Sequence, residues 1–175
     1  SVKERMEDYE GFVEKFKPKK TTDDCYTPPA VYEAVLRRAR ELCRVPEGAP
    51  IVRPFWPGGD YERYDYPEGC VVVDNPPFSI ISKIRRFYSA QGIKYFLFAP
   101  SLTLFSSNIG DECLIVTNSE ITYENGAKVN TAFVSNMLPE WRVITDWRMR
   151  KYVQEAQAAA KGQGHELPVY DYPAN

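Results

Sequence analysis

The sequence predicts an α/β fold, a mostly parallel sheet with an antiparallel hairpin at its edge. Three observations carry that prediction. Residues 70–73 (CVVV) and 94–99 (KYFLFA) are short apolar runs, the pattern of strands buried on both faces. Between them, residues 79–90 follow a helical period that Gly92 ends. Further on, Glu124-Asn125-Gly126 divides two apolar stretches, residues 121–123 and 129–134, and marks a hairpin turn.

The remaining elements follow in order. Met6, Tyr9, Phe12, Val13 and Phe16 recur at helical spacing, so residues 1–20 read as a short helix and a basic, Pro-interrupted linker. Residues 21–160 form the predicted domain. It opens with turn chemistry, TTDDCYTPP, and a helix over 29–43, where proline suits the first turn. Val31, Val35, Leu36, Ala39 and Leu42 mark the inner face of that helix; Arg37, Arg38, Arg40 and Arg44 are assigned to solvent. Ile51-Val52 begins a strand, and RPFWPGGDYERYDYPEG, dense in Pro, Gly and aromatics, reads as a structured loop. A strand is expected at 113–116, an extended segment at 141–144 and a helix at 146–160. Residues 161–175 have no periodicity and are expected to be a flexible tail or the cut edge of a longer protein.

The chain has 175 residues, enough for one domain with a sizeable core. Its 22 basic and 24 acidic side chains give a net charge of −2, so any nucleic-acid contact depends on local basic clusters and on salt. Such clusters occur at Lys15, Lys17, Lys19 and Lys20, at Lys83, Arg85 and Arg86, and at Arg142, Arg148, Arg150 and Lys151, with a solvated face as their default role. No apolar run is long enough to span a bilayer and residues 1–16 lack a signal-peptide core, so a cytoplasmic location is expected. Cys25, Cys43, Cys70 and Cys113 are widely spaced and form no CxxC, which argues against zinc or a disulfide framework. The single histidine, His165, lies in the tail, so chemistry in the domain is expected to work without imidazole and without a metal.

In parallel sheets, ligands bind beyond the carboxyl ends of the strands. Three loops are expected to converge there: PFWPGG, DNPPF and APSLTLF. The DNPPF stretch has a chemical logic. A nucleobase amine is a poor nucleophile because its lone pair is delocalised. The Asn75 carboxamide oxygen and a neighbouring main-chain carbonyl can each accept one of its N–H bonds and turn the lone pair outwards. Pro76 and Pro77 fix those acceptors in place, and Phe78 offers a face for a flat base. The plain alternative is a strand-to-helix turn with Phe78 packed beneath it.

DNPPFS after an apolar strand resembles motif IV of S-adenosylmethionine-dependent amino-methyltransferases, and TTDDCYTPP resembles their cofactor-side motif. The ordered set YTPP…RPFWPGGDYE…VVVDNPPFS…FLFAPSLTLF…ENGAKVNTAFVSN, over residues 17–138, is similar to phage- and prophage-encoded adenine-specific DNA methyltransferases. The resemblance implies an abbreviated Rossmann-like methyltransferase fold acting on adenine N6, with S-adenosylmethionine as cofactor and DNA as partner. By it, Asn75, Pro76 and Phe78 hold the adenine, with Asp74 close to amine or cofactor. Tyr26, Thr27 and Pro28 touch the cofactor, and Pro54, Phe55, Trp56, Pro57, Gly58, Gly59 and Asp60 take the place of its glycine-rich loop. Pro77, Ser79, Lys83 and Arg86 fall on the substrate side, with Asn130 and Phe133 in a segment that packs beside the flipped base.

Two departures stand out. PFWPGGD replaces the usual acidic-Gly-x-Gly loop, and Gly58-Gly59 also reads as a plain turn. Residues 61–69 leave no room for a second strand–helix unit, so Asp60 or Glu62 would have to serve as ribose ligand. No segment is long enough for a target-recognition domain, which points to a loose site, to a partner such as a recognition subunit or a second copy in a homo-oligomer, or to a fragment of a larger enzyme. Methylation of cytosine N4, an RNA base or a protein glutamine, and a catalytically silent nucleic-acid- or partner-binding domain, remain as alternatives.

Overall fold

The computed structural model describes residues 26–55, 59–102 and 110–162. The helix expected within 1–20 with its lysine cluster, Cys25, Trp56, Pro57, Gly58, the 99–105 loop beyond Leu102 and the tail with His165 lie outside the described residues. The described elements are α1 (Pro29–Cys43), β1 (Ile51–Val52), β2 (Val71–Asp74), a 3-10 turn (Phe78–Ile80), α2 (Ile81–Gln91), β3 (Lys94–Pro100), β4 (Cys113–Thr122), β5 (Lys128–Ser135), β6 (Val143–Thr145) and α3 (Trp147–Gly162).

The strands form one six-stranded sheet in the order β1-β2-β3-β5-β4-β6. β1–β2, β2–β3 and β4–β6 pair in parallel, and β3–β5 and β4–β5 antiparallel. The fold is therefore α/β and mostly parallel. The hairpin, however, is not at the edge as expected. β4 runs parallel to β3 one strand-width away, and β5 returns through the gap between them, so the interior site for the hairpin follows from the crossover that precedes β4. The edge strand is β6.

A second difference lies in β4, where two strands are expected and one continuous strand is found. Thr117, Asn118 and Ser119 interrupt the apolar pattern. Asn118 takes a left-handed φ of 49°, and the pairing register shifts between Ile115 and Ser119. This is a bulge within one strand. Its buried hydroxyls are satisfied locally: Thr117 donates to the Thr131 carbonyl at 3.2 Å and Ser119 to Thr117 at 2.9 Å. The turn into β5 follows the sequence, with Gly126 at φ 82° and Tyr123 N–H donating to the Ala127 carbonyl.

β2, most of β3, the first part of β4 and the last part of β5 are buried on both faces. Val71, Val73, Phe96, Phe98, Ile115 and Phe133 pack with α1 and α3, while Val72, Tyr95, Leu97, Ala132 and Val134 pack with α2. The aromatic-rich loop also builds core. Tyr61 is buried, its ring 5.4 Å from those of Phe55 and Phe87, and Tyr66 donates to the Tyr61 carbonyl at 2.7 Å. Burial pushes the Tyr66 hydroxyl up to about 12.

Two arginines assigned to solvent are inside. Arg38 is 8% exposed and grips Asp146 through Nε and a terminal nitrogen at 2.7 and 3.0 Å. Asp146 also accepts the Met149 N–H at 3.2 Å, so it caps α3 while tying it to α1. Arg85 is 2% exposed and forms a two-pronged pair with Glu112, which also accepts from the Tyr95 hydroxyl. Helical period cannot separate a solvent-facing arginine from one that meets an acid on a distant segment. Arg38→Ala is expected to cost about 3–5 kcal/mol, because it leaves a buried carboxylate uncompensated. Urea denaturation reads the change, and a loss below about 1 kcal/mol would contradict the assignment.

Candidate functional site

The parallel strands β1, β2, β3 and β4 all finish at one end of the sheet, where β5 begins and α1 starts its run. The described parts of the three loops expected to converge, those after β1, β2 and β3, leave from this end. Tyr26 to Pro28 lead into α1, Pro54 and Phe55 follow β1, Asn75 to Ser79 follow β2, Ser101 follows β3, and Asn130 lies near the start of β5. Glu124 N–H donates to the Tyr26 carbonyl at 3.0 Å, tying the lead-in to the hairpin turn.

Asp74 joins the first two exits. It is 2% exposed. Its Oδ2 accepts the Phe55 N–H at 2.8 Å, its Oδ1 accepts the Asn75 N–H at 2.9 Å, and Arg53 Nε lies 3.5 Å from Oδ1. The Arg53 guanidinium sits 3.6 Å over the ring of Tyr32, whose hydroxyl donates to the Val73 carbonyl at 2.9 Å. Acid, cation and aromatic ring thus stack from β2 to α1. Arg53 and Tyr32 were not singled out from sequence, although a carboxylate ending a buried strand demands a cation nearby.

Beyond Asp74 the chain turns sharply. Pro76 is buried, and Asn75, Pro77 and Phe78 are half-buried. Pro77 has φ −57° and ψ 119°, and the Ile80 N–H closes the turn on its carbonyl at 3.3 Å. The Phe78 ring touches the apolar clusters on both faces of the sheet. It packs as the plain turn requires and keeps part of its surface open. Ser79 is exposed.

On the α1 side, Tyr26 is 44% exposed and Thr27 only 2%. The Thr27 hydroxyl is buried and has no hydrogen-bond partner among the described residues. Among the described residues no side chain caps the first turn of α1, whose first residue, Pro29, has no N–H. Pro28 precedes that first turn, half-buried.

The other expected residues divide. Gly59 and Asp60 are exposed. Asp60 accepts the Glu62 N–H at 3.0 Å and lies 3.7 Å from Arg63, so its carboxylate closes its own turn. Lys83 is exposed and lies 3.3 Å from Glu62, while Arg86 is also exposed on α2. Asn130 accepts from Ser101 and donates to Asn118, both at 3.3 Å, linking the end of β3 and the start of β5 to the bulge of β4. Phe133, from the same segment, is 0% exposed and stacks on Phe96 at 5.3 Å, so it is a core residue and not part of an open face. Three strand positions separate the two, and only Asn130 reaches the rim. Among the described residues there is no His/Cys/Asp/Glu group suited to a metal and no helix long and apolar enough to cross a membrane.

No protein-family model matches this chain, and no curated protein or solved structure matches it with significance.

Burial raises the Asp74 carboxyl above its usual value, opposed by the Phe55 N–H, by Arg53 and by the Asn75 N–H. The folded protein therefore holds this proton to a higher pH than the unfolded chain. The resulting contribution to stability is complete below the unfolded value of about 3.9 and is lost as pH rises through the folded one. Carbon NMR titration of the Asp74 carboxyl is expected to give a midpoint above that value. A midpoint at or below it would show that the three donors outweigh burial.

Proposed function

We propose that this protein is an S-adenosylmethionine-dependent methyltransferase that acts on the N6 amine of adenine in DNA, on an abbreviated Rossmann-like methyltransferase fold. The observation that carries this reading is the rigid Asn75-Pro76-Pro77-Phe78 bend, anchored by Asp74 at the carboxyl end of a parallel strand.

In this reading Asn75 and the Pro76 carbonyl accept the two amine N–H bonds and aim the nitrogen lone pair, while the open part of Phe78 stacks the base. Asp74 acts as a positioning residue, holding the bend against Phe55. The residues at the start of α1 fit the cofactor: the buried Thr27 hydroxyl lacks a partner among the described residues, and the uncapped first turn suits a carboxylate. Tyr26, Pro28, Pro54 and Phe55 would flank it, and when bound it supplies the electrophilic methyl group. The proton lost from the amine passes to solvent. Lys83 and Arg86, beside the bend, suit backbone phosphates. The Lys83–Glu62 pair is solvent-exposed and weak enough for a phosphate to displace.

Asn75→Ala is expected to lower methyl transfer to DNA from labelled cofactor by at least about a hundredfold, with the circular dichroism spectrum and melting temperature unchanged. Product analysis of the wild-type reaction is expected to find N6-methyladenine. Turnover within about twofold of wild type in the variant would remove the proposed role of the bend.

A further inference from the structure

A cavity of about 310 Å³ lies beside the start of α1, where the end of α3 meets the β4–β5 hairpin. Pro28, Ala30, Val31 and Ala160 give it an apolar lining. An apolar space of about 150 Å³ holds one benzene ring, so this one has room for about two side chains of that size. Gln157, also in the lining, takes up main-chain groups of β4. It accepts the Thr122 N–H at 2.8 Å and donates to the Glu120 carbonyl at 3.0 Å, so an occupant is offered side-chain contacts rather than a strand edge. Lys128 and Lys161 stand at the rim, both exposed and neither with an ion-pair partner among the described residues. Glu120 is the one acid in the lining.

We infer that this cavity is the docking site of the chain's own residues 163–175. α3 ends at Gly162, and Ala160 and Lys161 belong to the cavity wall, so the following residues start at its rim. Gly162 and Gly164 permit a reversal there. Leu167 is six positions beyond Lys161, a reach of up to about 20 Å, which is enough to turn and come back. Leu167, Val169, Tyr170 and Tyr172 supply apolar side chains of suitable size, and Pro168 and Pro173 hold the residue before each extended. The segment carries two acids, Glu166 and Asp171, and no Lys or Arg, which complements the two unpaired lysines. The segment before Tyr26 also reaches this point, but its apolar residues Met6 to Phe16 are separated from α1 by Lys17, Lys19 and Lys20, which would meet Lys128 and Lys161 with like charge. Docking of residues 163–175 ties the end of α3 to the start of α1 and braces the Pro28 turn, whatever reaction the neighbouring site performs.

Nuclear Overhauser contacts in the full chain, recorded at low and at high protein concentration, test this inference. Contacts from the Leu167 and Tyr170 side chains to the Val31 and Ala160 methyls are expected, equally strong at both concentrations. Leu167→Asp with Tyr170→Asp is expected to remove them and to shift the Val31 methyl to its undocked position. Lys128→Glu with Lys161→Glu is expected to lower the docked-to-free ratio, read from that methyl shift, roughly two- to tenfold, and adding Glu166→Lys with Asp171→Lys to restore it. Cavity methyls without contacts to residues 163–175 would overturn the inference, as would a ratio unmoved by charge reversal. Contacts that strengthen with concentration would assign the cavity to a second copy, and contacts from residues 1–25 to the other end of the chain; either result would overturn it as well.

Discussion

The Asp74 carboxylate is 2% exposed, yet it receives two backbone N–H groups and lies beside a guanidinium. Two strand exits are fixed by this one group. Its bond to Phe55 sets where the chain leaves β1, and its bond to Asn75 sets the first step of the bend after β2. Arg53 and Tyr32 extend the arrangement to α1, so the helix start that carries Thr27 is held against the same strand. A buried anion of this kind is costly unless satisfied. It is satisfied here only when all three segments are in place, which couples the geometry of the candidate site to the folding of the sheet.

Much of the fold was legible because local pattern and burial agree. The helix at Pro29–Cys43 has the predicted bounds, and β1 is the predicted Ile51–Val52. The apolar runs become β2 and β3, and Gly92 ends α2 with φ 66°. The misses share a cause, since each depends on residues distant in sequence. Arg38 and Asp146 are 108 positions apart, so helical period alone assigned the arginine to water. The position of β5 depends on the crossover before β4, which leaves no mark on the hairpin itself. The bulge at Asn118 disguised one strand as two.

The candidate site was legible in the same partial way. Strand-end placement of the DNPPF bend follows from rules of parallel sheets that the sequence already invokes, whereas its link to α1 runs through Arg53 and Tyr32, which were not singled out. Side-chain roles were harder to read. Asn130 reaches the rim, but Phe133 is absorbed into a stack with Phe96 and Phe98. Alternation along β5 alone cannot tell an inward aromatic from one facing a ligand. Asp60 closes a turn, a use that a lone acid in a Gly-rich loop does not advertise. Arg85 pairs with Glu112 beneath α2, leaving Lys83 and Arg86 as the exposed cations beside the bend.

The proposed site therefore rests on geometry assembled around one acid, with the buried Thr27 hydroxyl and the start of α1 as the features that the proposal assigns to the cofactor. Isothermal titration of the wild-type chain with S-adenosylhomocysteine, paired with amide chemical-shift mapping, addresses this directly. The account predicts saturable one-site heat, with shifts concentrated at Thr27, Phe55 and Asn75. Absence of saturable heat, or shifts confined to residues remote from the ends of β1 and β2, would contradict it.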